Sequence, residues 1–253
     1  MINKIKKTIA AFCLSMALIL PSTSVLAANP PTTGWVNLDG KNYYYTNGVM
    51  ATGWLLNNGQ WYYFNTDGSM ATGWLAYNGH RYYLKTDGTM LTGWVTWSGR
   101  NYYFNNDGTT AAGWVLLNGK WYYFNTDGTT ATGWMSYNGK WYYLNADGAM
   151  ATGWTICDGK NYYFNSDGVM STGWLIRDGK WCYLNNSGVM VTGWMSYNGK
   201  WYYLNTDTGL MTTGWLTFNG NNYYLNEDGS MATGLVVING FIYHFNSDGT
   251  QAN

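Results

Sequence analysis

Tryptophan and tyrosine are the side chains whose number and spacing could do chemistry in this sequence. The 253 residues include 16 Trp and 24 Tyr, with 8 Phe beside them. Trp54 and Trp61 lie within one copy of a repeated block, and Tyr82 lies in the next copy. Two indoles and a phenol around one gap form an electron-rich cage without a charge. Such a cage suits a quaternary ammonium, which has no hydrogen to donate and is drawn to ring faces by about 0.5–2 kcal/mol per ring. It could equally stack on a sugar ring. One cage binds weakly, near millimolar or about −4 kcal/mol. Several cages on one polymer raise avidity by roughly 10²–10⁴.

Other chemistry has little to work with. Asp39, Asp158 and Asp178 fall at hairpin tips and the other nine of the 12 aspartates in linking turns; the one glutamate, Glu227, sits beside Asp228 in such a turn. The two histidines are His80, near a hairpin tip, and His244, in the last copy. A nucleophile with its base, or a carboxylate pair, needs non-repeating residues in a non-repeating context, and no such segment exists. No catalytic residues are therefore assigned, and the expectation is a protein that is not an enzyme. The recurrent Asn-x-Asp-Gly lacks the spaced oxygen ligands of a calcium loop. It is read as a turn, and neither a metal site nor a cofactor is expected.

The aromatic residues are carried by a 20-residue block that repeats from Gly34 to the C-terminus. Gly-Trp opens ten copies, at Trp35, Trp54, Trp74, Trp94, Trp114, Trp134, Trp154, Trp174, Trp194 and Trp215, and Gly234-Leu235 opens a weaker eleventh. A fixed period of this size signals stacked supersecondary units. In each copy two short apolar runs flank Asn-Gly, Asp-Gly or Ser-Gly, the signature of a hairpin with a two-residue turn of positive φ. With Asn58-Gly59 at the tip, Trp54 pairs with Tyr63, Leu55 with Tyr62 and Leu56 with Trp61. Alternation then places Trp54, Leu56, Trp61 and Tyr63 on one face and Leu55, Tyr62 and Phe64 on the other. A lone hairpin is marginal in water, and both faces here are apolar. Consecutive hairpins must therefore cover one another, and each cage lies between copies. The fold class is all-β: a solenoid of about eleven stacked β-hairpins.

The first 27 residues are different. Lys4, Lys6 and Lys7 precede the apolar run from Ile9 to Leu20, and Val25-Leu26-Ala27 has small residues where a signal peptidase cuts. Residues 1–27 are expected to be a signal peptide cleaved before Ala28, residues 28–33 a short linker, and residues 34–253 the repeat domain, whose last copy caps the stack. The mature chain then carries 10 basic and 13 acidic residues, a net charge of −3. It has no basic patch for nucleic acid and no second apolar run that spans a membrane. Cys157 and Cys182 stand in neighbouring repeats as independent replacements, although a single bridge between them is also open.

The pattern Thr-Gly-Trp-x₆-Trp-Tyr-Tyr-[Phe/Leu]-Asn-x-Asp-Gly-x-Met resembles the choline-binding, or cell-wall-binding, repeat of Gram-positive surface proteins. The resemblance covers Thr33 to Asn253. Similar repeats bind glucans in glucosyltransferases and host glycans in clostridial toxins. The resemblance implies choline held between hairpins, in cages built from both tryptophans of one repeat and the first tyrosine of the next. Carried onto this chain, complete cages are Trp54, Trp61 and Tyr82; Trp114, Trp121 and Tyr142; Trp134, Trp141 and Tyr162; Trp174, Trp181 and Tyr202; and Trp194, Trp201 and Tyr223. The last spans a one-residue insertion at Asp207-Thr208-Gly209. Asn42, Asn101, Asn161, Asn222, Arg81 and Ile242 replace the second tryptophan elsewhere. Arg81 should repel a cation or occupy the cage itself, and the junction of Trp154, Asn161 and Cys182 has lost two walls. The resemblance implies a non-catalytic, secreted protein of the wall or cell surface that binds phosphocholine of teichoic or lipoteichoic acid, with ligand-dependent homodimers open. Its competitors are a glycan-binding adhesin and the anchoring module of a peptidoglycan hydrolase.

Overall fold

The computed structural model describes residues 32–252. The expected signal peptide, its cleavage site and most of the linker lie outside the described residues. Among the described residues every regular element is a strand, and no helix is long and apolar enough to cross a membrane. Eleven hairpins follow one another at 34–46, 53–64, 73–84, 93–104, 113–124, 133–144, 153–164, 173–184, 193–204, 214–225 and 234–245, numbered 1 to 11 below. Hairpin 1 carries a short third strand, Val49–Met50, paired to Tyr45 and Thr46.

The tip chemistry sets the register. Asn58 and Gly59 adopt φ of 49° and 76°, the left-handed pair that a type I′ turn requires. Strands Gly53–Asn57 and Gln60–Phe64 then pair Trp54 with Tyr63, Leu55 with Tyr62 and Leu56 with Trp61, as expected from the turn. The last residue of hairpins 2 to 11 forms the core, with Tyr45 in that place in hairpin 1. Phe64, Phe104, Phe164, Leu84, Leu184, Leu204 and Leu225 have no exposed surface. The phenylalanines are roofed by the preceding copy: the Trp35 ring lies 5.8 Å from Phe64, that of Trp74 5.9 Å from Phe104 and that of Trp134 5.7 Å from Phe164.

The linking turn does more than connect. Met70 forms an antiparallel bridge with Phe64 of its own hairpin. Its backbone N–H reaches back to the Asn42 carbonyl at 2.7 Å, and Met90 does the same to the Trp61 carbonyl at 2.8 Å. One backbone hydrogen bond thus stitches each link to the second strand of the preceding hairpin. Within the turns the aspartates act as local acceptors. Asp67 takes the Ser69 N–H at 2.9 Å and its hydroxyl at 2.5 Å, and Asp87, Asp127, Asp228 and Asp248 repeat the arrangement. These bonds hold the five carboxyls below the ordinary range. At Asp228 the Ser230 hydroxyl and N–H, joined by Lys200, bring the value down to about 2. A depressed folded-state value contributes stability that is complete above the unfolded value, near pH 4, and lost as pH falls through the folded one. Acid titration followed by circular dichroism should therefore show loss of structure between about pH 4 and 2. An Asp228→Asn variant should show a smaller dependence on pH in that window, and an unchanged profile would remove this turn from the account.

Contacts divide the chain into two compact units. One holds hairpins 1 to 4 and Phe124–Thr130; the other holds Trp114–Tyr123 and the chain from Ala131 onward. Within each, one hairpin's first face packs on the next hairpin's second face. Cys157 and Cys182 are buried and unbonded to each other. Burial raises both thiols, and the Cys182 thiol donates to the Leu175 carbonyl at 3.3 Å. The bridge left open by the sequence is therefore absent. Hairpin 11 presents Leu235, Val237 and Ile242, each at least 68% exposed, on the face that carries the tryptophans in other hairpins. Its outer face is apolar, where the cap of a repeat stack is ordinarily polar.

Candidate functional site

Each cage starts from two indoles placed by the hairpin register. Trp54 and Trp61 are diagonal neighbours on one face, with ring centres 6.3 Å apart and planes at 87°. Trp134 and Trp141 repeat this at 6.3 Å and 82°, and Trp174 and Trp181 at 6.4 Å and 88°. Tyr82 closes the first cage from the next hairpin, 4.9 Å from Trp54. Tyr142, Tyr162, Tyr202 and Tyr223 stand 5.1, 4.8, 5.2 and 4.9 Å from Trp114, Trp134, Trp174 and Trp194. The structure thus sets the expected tyrosine against the first tryptophan of all five triplets. The insertion near Tyr223 does not disturb this spacing. It is absorbed in the turn, where the Asn205 side-chain oxygen accepts the Asp207 and Thr208 N–H groups at 3.0 and 2.9 Å.

The two indoles of a cage differ in burial. Trp134 is half-buried, whereas Trp141 is 48% exposed. The Tyr82, Tyr142 and Tyr162 hydroxyls are raised above their ordinary value, mainly by burial. They stay neutral at physiological pH, so these walls offer ring faces and no anion.

The sequence missed further walls. A cavity of 390 Å³ is lined by Trp134, Trp141, Tyr162, Met170, Asn186 and Ser187. Met170 is held there because its N–H bonds to the Trp141 carbonyl at 2.8 Å. Its sulfur also lies where a Cβ on Gly188 would stand, so the next linking turn clamps the thioether against the cage. One cage therefore draws on three successive copies. The equivalent residues of the other four cages are Met90, Met150, Met211 and Met231, bonded to the carbonyls of Trp61, Trp121, Trp181 and Trp201. Methionine recurs in the consensus pattern, but nothing local in the sequence marks it as a wall. A second unforeseen position flanks the first indole. Tyr77, Tyr137, Tyr197 and Phe218 lie 5.9–6.3 Å from Trp54, Trp114, Trp174 and Trp194.

Two junctions are filled by the protein itself. The Arg81 guanidinium sits 4.4 Å from the centre of the Trp74 ring, the second of the alternatives open from sequence. Arg177 covers Trp154 at 4.7 Å, which accounts for the junction that Asn161 and Cys182 leave incomplete. Among the described residues no three His, Cys, Asp or Glu side chains gather to hold a metal ion.

Fold and site together define a β-hairpin repeat protein with tryptophan–tyrosine contacts between successive copies. The choline-binding repeat model matches residues 57–92, 91–128, 111–152, 151–187 and 177–213, and a cell wall binding repeat matches 213–231. The chain belongs to the choline-binding repeat family and is accordingly a cell-wall-associated, choline-binding type of protein. Among solved structures it is similar to CbpJ from Streptococcus pneumoniae, at 28% identity and a TM-score of 0.64 over 87% of this chain and 100% of that one. It is similar to choline binding protein F from Streptococcus pneumoniae at 30% identity and a TM-score of 0.59, over 89% and 100%. The modular autolysin LytC of Streptococcus pneumoniae, solved with a synthetic peptidoglycan ligand, matches at 30% and 0.59; the match covers 86% of this chain and 52% of LytC. A search of curated protein sequences returns no match.

Proposed function

We propose that the chain is a secreted, non-catalytic protein that holds choline groups of teichoic or lipoteichoic acid in the five cages built on Trp54, Trp114, Trp134, Trp174 and Trp194. The observation that carries this reading is the cage at Trp134. Two indoles near a right angle, a neutral phenol and a thioether surround a cavity with no charged side chain in its lining. A trimethylammonium group finds ring faces on several sides there and needs no hydrogen-bond partner. The non-catalytic reading is supported by Asp67, Asp87, Asp107, Asp127 and Asp228, each of which spends one carboxylate oxygen on its own turn. The same repeats occur in an autolysin, so a wall-anchoring role beside a separate hydrolase has the same chemistry.

Tryptophan fluorescence of the mature chain, titrated with choline, tests the reading. A saturable millimolar response, reduced in a Trp121→Ala variant, is expected. A flat titration, or one that Trp121→Ala leaves unaltered, would sink it.

A further inference from the structure

The cavity on Trp134 has an end that a trimethylammonium group does not use. Trp134, Trp141, Tyr162 and Met170 form its apolar part, and Asn186 and Ser187 form the rest. Ser187 stands immediately before Gly188, in the link that follows hairpin 8. The links that stand in the same relation to the other four cages have an aspartate there: Asp107, Asp167, Asp228 and Asp248, each before a glycine of positive φ. Two of these carboxylates make themselves felt at their cages. Beyond the effect of burial, Asp107 and Asp167 raise the Tyr82 and Tyr142 phenols. The rim position is therefore a carboxylate in four cages and a neutral hydroxyl in the fifth.

The change at Ser187 is one of side chain and not of turn. Asn185 Oδ1 accepts the Ser187 and Val189 N–H groups, each at 3.0 Å. In the preceding link Asn165 Oδ1 accepts those of Asp167 and Val169 at 3.0 and 2.9 Å. The cages on Trp114 and Trp134 thus share two indoles, a phenol, a thioether and the link geometry, and differ at this rim residue. The hairpin-tip cations register the same change. Lys41, Arg100, Lys120 and Lys200 reach Asp67, Asp127, Asp147 and Asp228 at 3.4, 4.0, 3.7 and 2.9 Å. Lys160 occupies this tip position in hairpin 7, and its counterpart in the link is Ser187. Among the described residues it joins no ion pair, with the neighbouring Asp158 or with any other carboxylate. Alternation places Lys160 on the face of hairpin 7 that carries Tyr162, the face turned to the cage. The Trp134 cage therefore ends in a hydroxyl and an amide, with an unpaired ammonium beside them.

We infer that the cage on Trp134 reads the phosphate of a choline phosphate ester together with its ammonium, and that the four carboxylate-rimmed cages read the ammonium alone. The inference rests on the cages being choline sites. With the trimethylammonium held between the rings, the phosphate at the other end of the short ester arm reaches the polar end of the same cavity. Its oxygens accept from the Ser187 hydroxyl and the Asn186 amide, and Lys160 supplies the opposite charge. At Asp107, Asp167 and Asp248 the same phosphate meets a carboxylate that is in no ion pair among the described residues. At Asp228 the cation is already engaged, because Lys200 holds that carboxylate at 2.9 Å. Ser187 and Lys160 thus determine specificity at one cage, and the five cages are not interchangeable.

The test uses the full mature chain carrying Trp61→Ala, Trp181→Ala and Trp201→Ala, which leaves the cages on Trp114 and Trp134. Calorimetric titrations with choline and with phosphocholine are compared. Adding Ser187→Asp should weaken phosphocholine at one site about two- to fivefold, the scale of a partly exposed charge contact, and leave choline equal or tighter. Lys160→Gln should do the same. Asp167→Ser should tighten phosphocholine at the other site by a similar factor. All three differences should shrink in roughly 0.5 M salt, which screens charge contacts. A merely structural role for these side chains would move both ligands alike and ignore salt. If choline still saturates while phosphocholine is indifferent to Ser187→Asp and Lys160→Gln, or if both ligands weaken together, the inference is overturned and the cages remain choline sites. A flat choline titration would overturn both.

Discussion

Replacing Trp141 by alanine should abolish one choline site and leave the fold nearly untouched, whereas Trp134→Ala should damage both. The two indoles face one cavity, but their other contacts differ. Trp141 is 48% exposed, and its removal should change unfolding stability by less than about 1 kcal/mol. Trp134 roofs Phe164 at 5.7 Å and contacts Tyr143 and Tyr162 at 5.3 and 4.8 Å. Its loss opens the junction to water and should cost about 2–4 kcal/mol without ligand. Calorimetric titration should give one fewer choline per chain for either variant, and urea denaturation should separate them. Equal destabilisation by the two substitutions would contradict the division between a wall that binds and a wall that also roofs the core.

Phe164→Ala should be the most damaging single change in its part of the chain, at about 3–5 kcal/mol. Phe164 has no exposed surface and anchors a cluster with Ala151, Cys157 and Tyr162, against which Trp134, Tyr143, Met170 and Val189 pack. Three of these, Tyr162, Trp134 and Met170, are walls of one cage, so the cavity left by the ring should also lower affinity there. Because each repeat contacts only its neighbours, the damage should stay local. Hydrogen exchange should speed up in hairpins 6 to 8 and remain unchanged in hairpins 10 and 11. Uniform acceleration along the second unit would show that its repeats unfold as one.

Much of this was legible because Asn-Gly tips dictate register. Once Asn58 and Gly59 are placed at positive φ, the faces of Trp54, Trp61 and Phe64 follow from alternation alone. The tyrosine walls followed from the need to cover those faces, and the direction of stacking came with the family resemblance. The methionine wall was not legible, because Met170 is placed by a backbone hydrogen bond to Trp141, 29 residues earlier. No local pattern encodes such a bond. Arg177 escaped notice for a similar reason. It belongs to the copy after Trp154 and occupies a tip position where most copies that build cages have an aromatic residue.

The cages are unevenly distributed. One lies in the first unit, on Trp54, and four lie in the second, on Trp114, Trp134, Trp174 and Trp194. On the proposed function, grip therefore resides in one half of the chain. A polymer strand leaves that half only when all four contacts are broken at once. If each is open for about a tenth of the time, all four are open together for roughly one part in 10⁴. The second unit would hold for long periods with millimolar bonds, while the first, with a single cage, would exchange freely and sample fresh surface. Attachment and exploration would be divided along one polypeptide, with residence time set by valence and not by the strength of any one contact.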